Sequence, residues 1–147
     1  MCTAPSAGNG KVTVPDILAR KSHPATLTEQ KIVSLTAYDT PTARIVDEAG
    51  ADVILVGDSL AMVVLGYETT LPVTLEEMLH HTRAVRRGVR RALLVADMPF
   101  GSYHADVAES LRHAIRFVKE GGAEAVKVEG GERRMELIAR LVEAEIP

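Results

Sequence analysis

Residues 51–60, ADVILVGDSL, run four branched apolar side chains (53–56) straight into Gly57, Asp58 and Ser59. A short, continuous apolar run rich in Val and Ile and stopped by glycine reads as a strand buried on both faces. The strand ends on an acid. The same event recurs in ALLVADMPF, where Leu93, Leu94 and Val95 lead to Asp97. It recurs in AEAVKVEGG, where Val126 and Val128 flank Lys127 and lead to Glu129. An unpaired buried carboxylate is costly, so packing alone does not place acids there. Three of them on separate strands point to a shared positive partner.

The segments around these strands alternate with them. Residues 31–37, KIVSLTA, read as a further apolar, β-branched strand. Residues 40–50 read as a helix with Thr40 as N-cap, Pro41 in the first turn and Gly50 as its stop. Residues 74–88 carry the strongest helical signal. Thr74 and Glu77 form a capping-box pattern, Leu75, Met78, Leu79, Thr82 and Val85 recur at helical spacing, and Gly88 ends the run. Residues 105–122 place Val107, Leu111, Ile115 and Val118 on one stripe, and 132–145 form a last helix. A short helix over 14–21 is expected to turn Ile17 and Leu18 inward. The order after it is βαβαβαβα, which predicts an α/β fold with a parallel sheet covered by helices. That sheet is either open and doubly wound or part of a (β/α)8 barrel. In both, function collects at the carboxyl ends of the strands, where Asp58, Asp97 and Glu129 lie. The apolar loop over 60–73 is long for its position. It either packs on the body or on another subunit, or covers the site.

Composition narrows the classes of function. The chain has 147 residues, 46% of them hydrophobic and 25% charged, enough for one domain with a real core. A net charge of −3 predicts no polyanion partner, and little in the sequence suggests the basic face that nucleic acid would need. The single cysteine, Cys2, excludes an internal disulfide framework and a cysteine metal site, and fits a reducing compartment. No apolar run approaches the ~20 residues of a membrane span. The first residues, MCTAPSAGNGK, lack the apolar core of a secretory signal, so residues 1–13 read as a disordered tail on a cytoplasmic protein.

Carboxylates without cysteine or an obvious histidine ligand suit a hard cation, foremost Mg²⁺. Ordinary capping and ion pairing of rim acids is the competing explanation. Lys127 and Glu129 stand two apart in a strand and share a face, where they either pair with each other or offer the lysine to a substrate carboxylate. His80 and His81 are adjacent on a helix, point ~100° apart and cannot chelate together, so both read as structural. Arg83, Arg86, Arg87, Arg90 and Arg91 read as a solvated face at a helix C-terminus, at the pole away from the acids. There is no G-x-S-x-G, P-loop or G-x-G-x-x-G.

The stretches LTAYD, VGDSLAMVVLGYETTLPVTLEEMLHHTRAVRRG, VADMPFGSY and AVKVEGG resemble the ketopantoate hydroxymethyltransferase family from about Val14 to Pro147. The resemblance implies a (β/α)8 TIM barrel of the phosphoenolpyruvate mutase and isocitrate lyase type. About four βα units are present in 14–147, and the rest of the barrel, with the general base, is expected beyond Pro147. It implies transfer of a hydroxymethyl group from 5,10-methylenetetrahydrofolate to 3-methyl-2-oxobutanoate, giving 2-dehydropantoate in pantothenate biosynthesis through a Mg²⁺-stabilised enolate. Asp58, Asp97 and Glu129 are the metal residues by this resemblance. Asp58, Ser59, Asp97 and Lys127 are the substrate-binding residues. A homo-oligomer is implied, a decamer in the family. This chain departs from the family's usual GDSLG at Ala61. The alternatives are a Mg²⁺-dependent carbon–carbon lyase of the same superfamily and a non-catalytic half-barrel that self-associates through its exposed strand edges.

Overall fold

A computed structural model describes residues 10–22 and 31–147. Its centre is one parallel sheet with the strands in chain order: β1 (Ser34–Thr36), β2 (Val53–Val56), β3 (Leu93–Asp97) and β4 (Ala125–Lys127). Consecutive strands are neighbours, so each crossover advances the sheet by one position. The register aligns Leu55 with Val95 and Val95 with Ala125, and two residues further on it aligns Asp97 with Lys127. In a parallel sheet aligned residues share a face. Ile54, Val56, Leu94 and Ala96 point to the helices and join the core with Met78, Leu79, Val85, Ala114, Phe117, Leu137 and Leu141. Asp97 and Lys127 therefore stand on the opposite face, at its carboxyl end.

The helices are α1 (Val14–Ser22), α2 (Thr40–Glu48), the single turn α3 (Leu60–Val63), α4 (Leu75–Arg86), α5 (Val107–Arg116) and α6 (Met135–Glu143). A π-helical turn, Phe117–Gly121, extends α5, and a 3-10 turn, Gly131–Arg134, precedes α6. The expected capping box is present on α4: the Glu77 N–H donates to Thr74 Oγ1 at 3.2 Å, and the Thr74 N–H donates to Glu77 Oε2 at 2.8 Å. The cap of α2 differs from expectation. Asp39, not Thr40, accepts the Thr42 N–H, at 2.8 Å, because its carboxylate is the stronger acceptor and Thr40 Oγ1 instead donates to the Ala84 carbonyl.

Three other expectations are corrected. Residues 1–9 lie outside the described residues, but Lys11 and Val12, assigned to the disordered tail, are docked. Val12 is buried and donates its N–H to the Arg91 carbonyl, while Lys11 Nζ reaches the Ala92 carbonyl and Glu124. Leu18 is 56% exposed rather than inward. On α5 the expected stripe holds in part: Val107 and Leu111 pack against the core, but Ile115 and Val118 are each 37% exposed, and the fully buried line is Ser110, Ala114, Phe117 and Gly121. Small residues face inward there because the helices approach closely: a Cβ on Gly121 would lie 2.9 Å from Thr82 Cγ2. β1 is exposed along its whole length, being an edge strand.

The amino pole of the sheet is fastened by acids and arginines. Asp47, in the last turn of α2, accepts the backbone N–H groups of Arg90, Arg91 and Ala92. Burial raises its carboxyl, and these three donors outweigh burial and leave it below its ordinary range. Arg91 donates to the Gly50 and Ala51 carbonyls and pairs with Asp52, and Arg86 pairs with Glu124. These two arginines are fasteners between elements rather than part of a solvated face.

Candidate active site at the carboxyl ends of the strands

Three strand ends deliver the predicted residues to one rim. Asp97, the last residue of β3, is 3% exposed. Its Oδ2 accepts from Lys127 Nζ at 2.7 Å and from the Asp58 backbone N–H at 3.4 Å. Lys127, the last residue of β4, also donates to Glu129 Oε1 at 2.9 Å. Two of the three acids thus share a positive partner here, the Lys127 ammonium between Asp97 and Glu129, whereas Asp58 reaches Asp97 only through its backbone N–H. Ser59 follows Asp58, and its Oγ lies 2.8 Å from Tyr38 Oη. Among the described residues, no three His, Cys, Asp or Glu side chains converge as a ready ligand set for a metal ion.

The electrostatics of this line are uneven. Burial raises the Asp97 carboxyl, Lys127 draws it back down, and the neighbouring Asp58 charge pushes it up again; the net effect is upward. Burial lowers the Lys127 ammonium, and its two carboxylate partners more than restore it, leaving it raised and firmly cationic. Asp97 is therefore a buried carboxylate that its lysine does not fully compensate. A carboxyl in that condition gains from a second cation. With Asp58 on the adjacent strand end, the donors are hard oxygens without thiolate or imidazole, which fits Mg²⁺ better than a softer metal.

Several aromatic groups complete the rim, and the sequence pattern did not single them out. Tyr38 holds Ser59, and its own carbonyl is contacted by His81 Nδ1 at 2.7 Å. His81 is thus structural, as read from its helical spacing. Tyr103 Oη accepts the Glu129 backbone N–H at 3.3 Å. A cavity of about 330 Å³ opens beside Asp58 and Glu129, with Phe100 and His104 on the β3 side and Arg133 and Arg134 on the β4 side. The signal for Phe100, Tyr103 and His104 was an aromatic cluster just past a strand end, in PFGSYH; Tyr38, Arg133 and Arg134 lay outside it. The loop over 60–73 buries Leu60, Ala61 and Val73, while Met62, Val63, Val64, Leu65, Tyr67 and Leu71 remain exposed.

A parallel βα array with acids at its strand ends belongs to the α/β enzymes, whether the sheet is open or closes into a barrel. Solved structures agree on the fold. The chain superposes on a phosphoenolpyruvate phosphomutase from Streptomyces platensis subsp. rosaceus with a TM-score of 0.59 at 18% identity, over 78% of this chain and 37% of that one. It also superposes on a 2,3-dimethylmalate lyase, a member of the PEP mutase/isocitrate lyase superfamily, with a TM-score of 0.52 at 19% identity, over 65% of this chain and 32% of the other. The sequence goes further. Residues 11–147 match the ketopantoate hydroxymethyltransferase family, and the chain belongs to it. It is 64% identical over 137 residues to the 3-methyl-2-oxobutanoate hydroxymethyltransferase of Koribacter versatilis (strain Ellin345), covering 93% of this chain and 45% of that protein. Identity to the enzyme of the same name from Carboxydothermus hydrogenoformans is 62% over 118 residues, 80% of this chain and 43% of that protein. The chain spans about half the length of the curated relatives it matches. No helix among the described residues is long and apolar enough to cross a membrane.

Proposed function

We propose that the protein carrying this chain transfers a hydroxymethyl group from 5,10-methylenetetrahydrofolate to 3-methyl-2-oxobutanoate, giving 2-dehydropantoate, in the cytoplasm and as a homo-oligomer. The observation that carries the reading is the Asp97–Lys127–Glu129 line at the strand ends of a chain in this family. Asp58 and Asp97 would hold Mg²⁺, with Glu129 completing the site once it is released from Lys127 or through a water. A bound Mg²⁺ supplies Lewis-acid polarisation of the keto oxygen of an α-keto acid. Lys127, kept cationic by its two carboxylates, is the point charge for the substrate carboxylate. Ser59, oriented by Tyr38, offers a hydroxyl next to Asp58. The exposed apolar segment of the loop over 60–73 supports self-association, since a cluster of large apolar groups on a surface marks an interface.

Replacing Lys127 by alanine tests the substrate assignment. The lost charge-assisted contact is worth ~2 kcal/mol, so KM for 3-methyl-2-oxobutanoate should rise about 30-fold. KM for the folate should stay nearly constant. An equal rise for both, or a rise for the folate alone, removes Lys127 from the keto acid.

A further inference from the structure

The exit of β1 is fastened from outside the sheet. Among the described residues β1 is an edge strand, paired on one side, and its register ends at Thr36 opposite Leu55. One further sheet bond, from the Ala37 N–H to the Leu55 carbonyl at 3.2 Å, carries it to the rim. Past Ala37, α4 and the residues just after it take over. His81 Nδ1 donates to the Tyr38 carbonyl at 2.7 Å, and Thr40 Oγ1 donates to the Ala84 carbonyl at 2.7 Å. Gly88 approaches so closely that a Cβ on it would lie 2.5 Å from the Thr40 carbonyl oxygen. A backbone carbonyl beyond the end of a ladder still needs a donor, and His81 supplies it. Because a carbonyl only accepts, His81 carries a hydrogen on Nδ1.

α4 is suited to hold that turn. Met78, Leu79, Thr82 and Val85 bury one face of it in the core, and the capping box closes its first turn. His81 stands half-buried on this fixed helix, while His80, one position earlier, is exposed. The residue that His81 grips is also the one that reaches the site. Tyr38 Oη lies 2.8 Å from Ser59 Oγ and so joins the exit of β1 to the exit of β2. Ser59 follows Asp58, whose N–H reaches Asp97. A serine hydroxyl rotates freely, and a partner hydroxyl decides where its hydrogen and lone pairs point. A line of two hydrogen bonds thus runs from α4 to the rim, through the backbone and then the side chain of one tyrosine.

We propose that His81 is a positioning residue for the keto-acid site: by holding the Tyr38 carbonyl it fixes the Tyr38 hydroxyl, which in turn aims the Ser59 hydroxyl at the bound keto acid. The assignment rests on the placing of Ser59 at the keto acid in the reading above. The phenolic hydroxyl is the better donor of the pair, so Tyr38 donates and the Ser59 hydrogen stays available to an anionic ligand. The edge strand alone would leave this hydroxyl loosely aimed, and the clamp from α4 removes that freedom.

The test is calorimetric titration of the protein that carries this chain with 3-methyl-2-oxobutanoate in the presence of Mg²⁺. Tyr38→Phe keeps the clamp and removes the hydroxyl, and its Kd should rise about five-fold, the worth of one neutral hydrogen bond. His81→Leu keeps the hydroxyl and removes the clamp, and its Kd should rise by a similar factor. The double variant should bind no more weakly than Tyr38→Phe, because both changes act through one hydroxyl. His81→Asn, whose amide sets an N–H near the place of Nδ1, should stay within about two-fold of the unaltered protein. If the leucine variant does not fold, His81→Gln takes its place in the cycle, since its amide lies one atom further out and misses the Tyr38 carbonyl. Factors that multiply in the double variant, as a general loosening of α4 would give, overturn the proposal. So does a Kd that His81→Leu leaves unchanged. A Kd insensitive to Tyr38→Phe overturns the proposal and leaves the transfer reaction standing. An unaltered protein that binds no keto acid overturns both.

Discussion

Asp97→Asn should cut the apparent Mg²⁺ affinity of turnover by at least about 100-fold, the upper end of what a group that only orients a metal ligand costs. The side chain keeps its shape and loses its charge, so the effect reads the anion rather than the packing. The same substitution should not weaken the fold. The Asp97 carboxyl is raised above its ordinary value, first by burial and then by the Asp58 charge, against the pull of Lys127. The folded chain therefore holds that proton to higher pH than the unfolded chain does. Ionisation of Asp97 takes stability away as pH rises from the ordinary carboxylate range through the raised value, and the amide has nothing to ionise. Thermal melts in EDTA should show the variant gaining on the parent protein across that window. A parallel pair of pH–stability curves, or a Mg²⁺ dependence of turnover that does not move, contradicts this account of Asp97.

Gly88→Ala should be the most damaging single-methyl change in the scaffold. Gly88 follows the C-terminal end of α4 against the first turn of α2, and an added Cβ would lie 2.5 Å from the Thr40 carbonyl oxygen, 2.9 Å from Ala43 Cβ and 3.0 Å from the Arg44 nitrogen. Two of the three are backbone atoms, so no rotamer change relieves the clash. The cost is expected at about 3 kcal/mol, the upper end for overpacking, or a fall in Tm of about 9 °C. Gly88 has no positive φ, so its role is close approach rather than a left-handed turn. Were it only a helix stop, alanine would cost less than ~1 kcal/mol, and a chemical denaturation curve separates the two.

The strand ends were legible because apolar runs stop abruptly there. Leu93, Leu94 and Val95 cannot face water, so Asp97 had to mark the rim, and the same logic located Asp58 and Glu129. The partnership was less legible. That Lys127 lies between Asp97 and Glu129 depends on the register aligning Asp97 with Lys127, which no single strand encodes. Tyr38 was invisible as a site residue, and Tyr103 showed only as part of the aromatic cluster PFGSYH, because a tyrosine hydroxyl finds its partner only across elements. The stripe on α5 misled because hydrophobicity was taken as burial. Ser110, Ala114 and Gly121 face the core for their small size, and the larger Ile115 and Val118 remain half outside. The cap of α2 moved by one residue because Asp39 and Thr40 are both good caps and tertiary contact with Ala84 claims the threonine.

The most direct measurement is the fate of a labelled carbon. The protein that carries this chain is incubated with 3-methyl-2-oxobutanoate and 5,10-methylenetetrahydrofolate carrying ¹³C in the methylene bridge, with Mg²⁺ and with EDTA, and the products are followed by NMR. The account predicts ¹³C in the hydroxymethyl group of 2-dehydropantoate with Mg²⁺, and loss of that signal in EDTA and in Asp97→Asn. Label that stays on the folate while a carbon–carbon bond of a keto or hydroxy acid is cleaved, or transfer that proceeds unchanged without Mg²⁺, would contradict it.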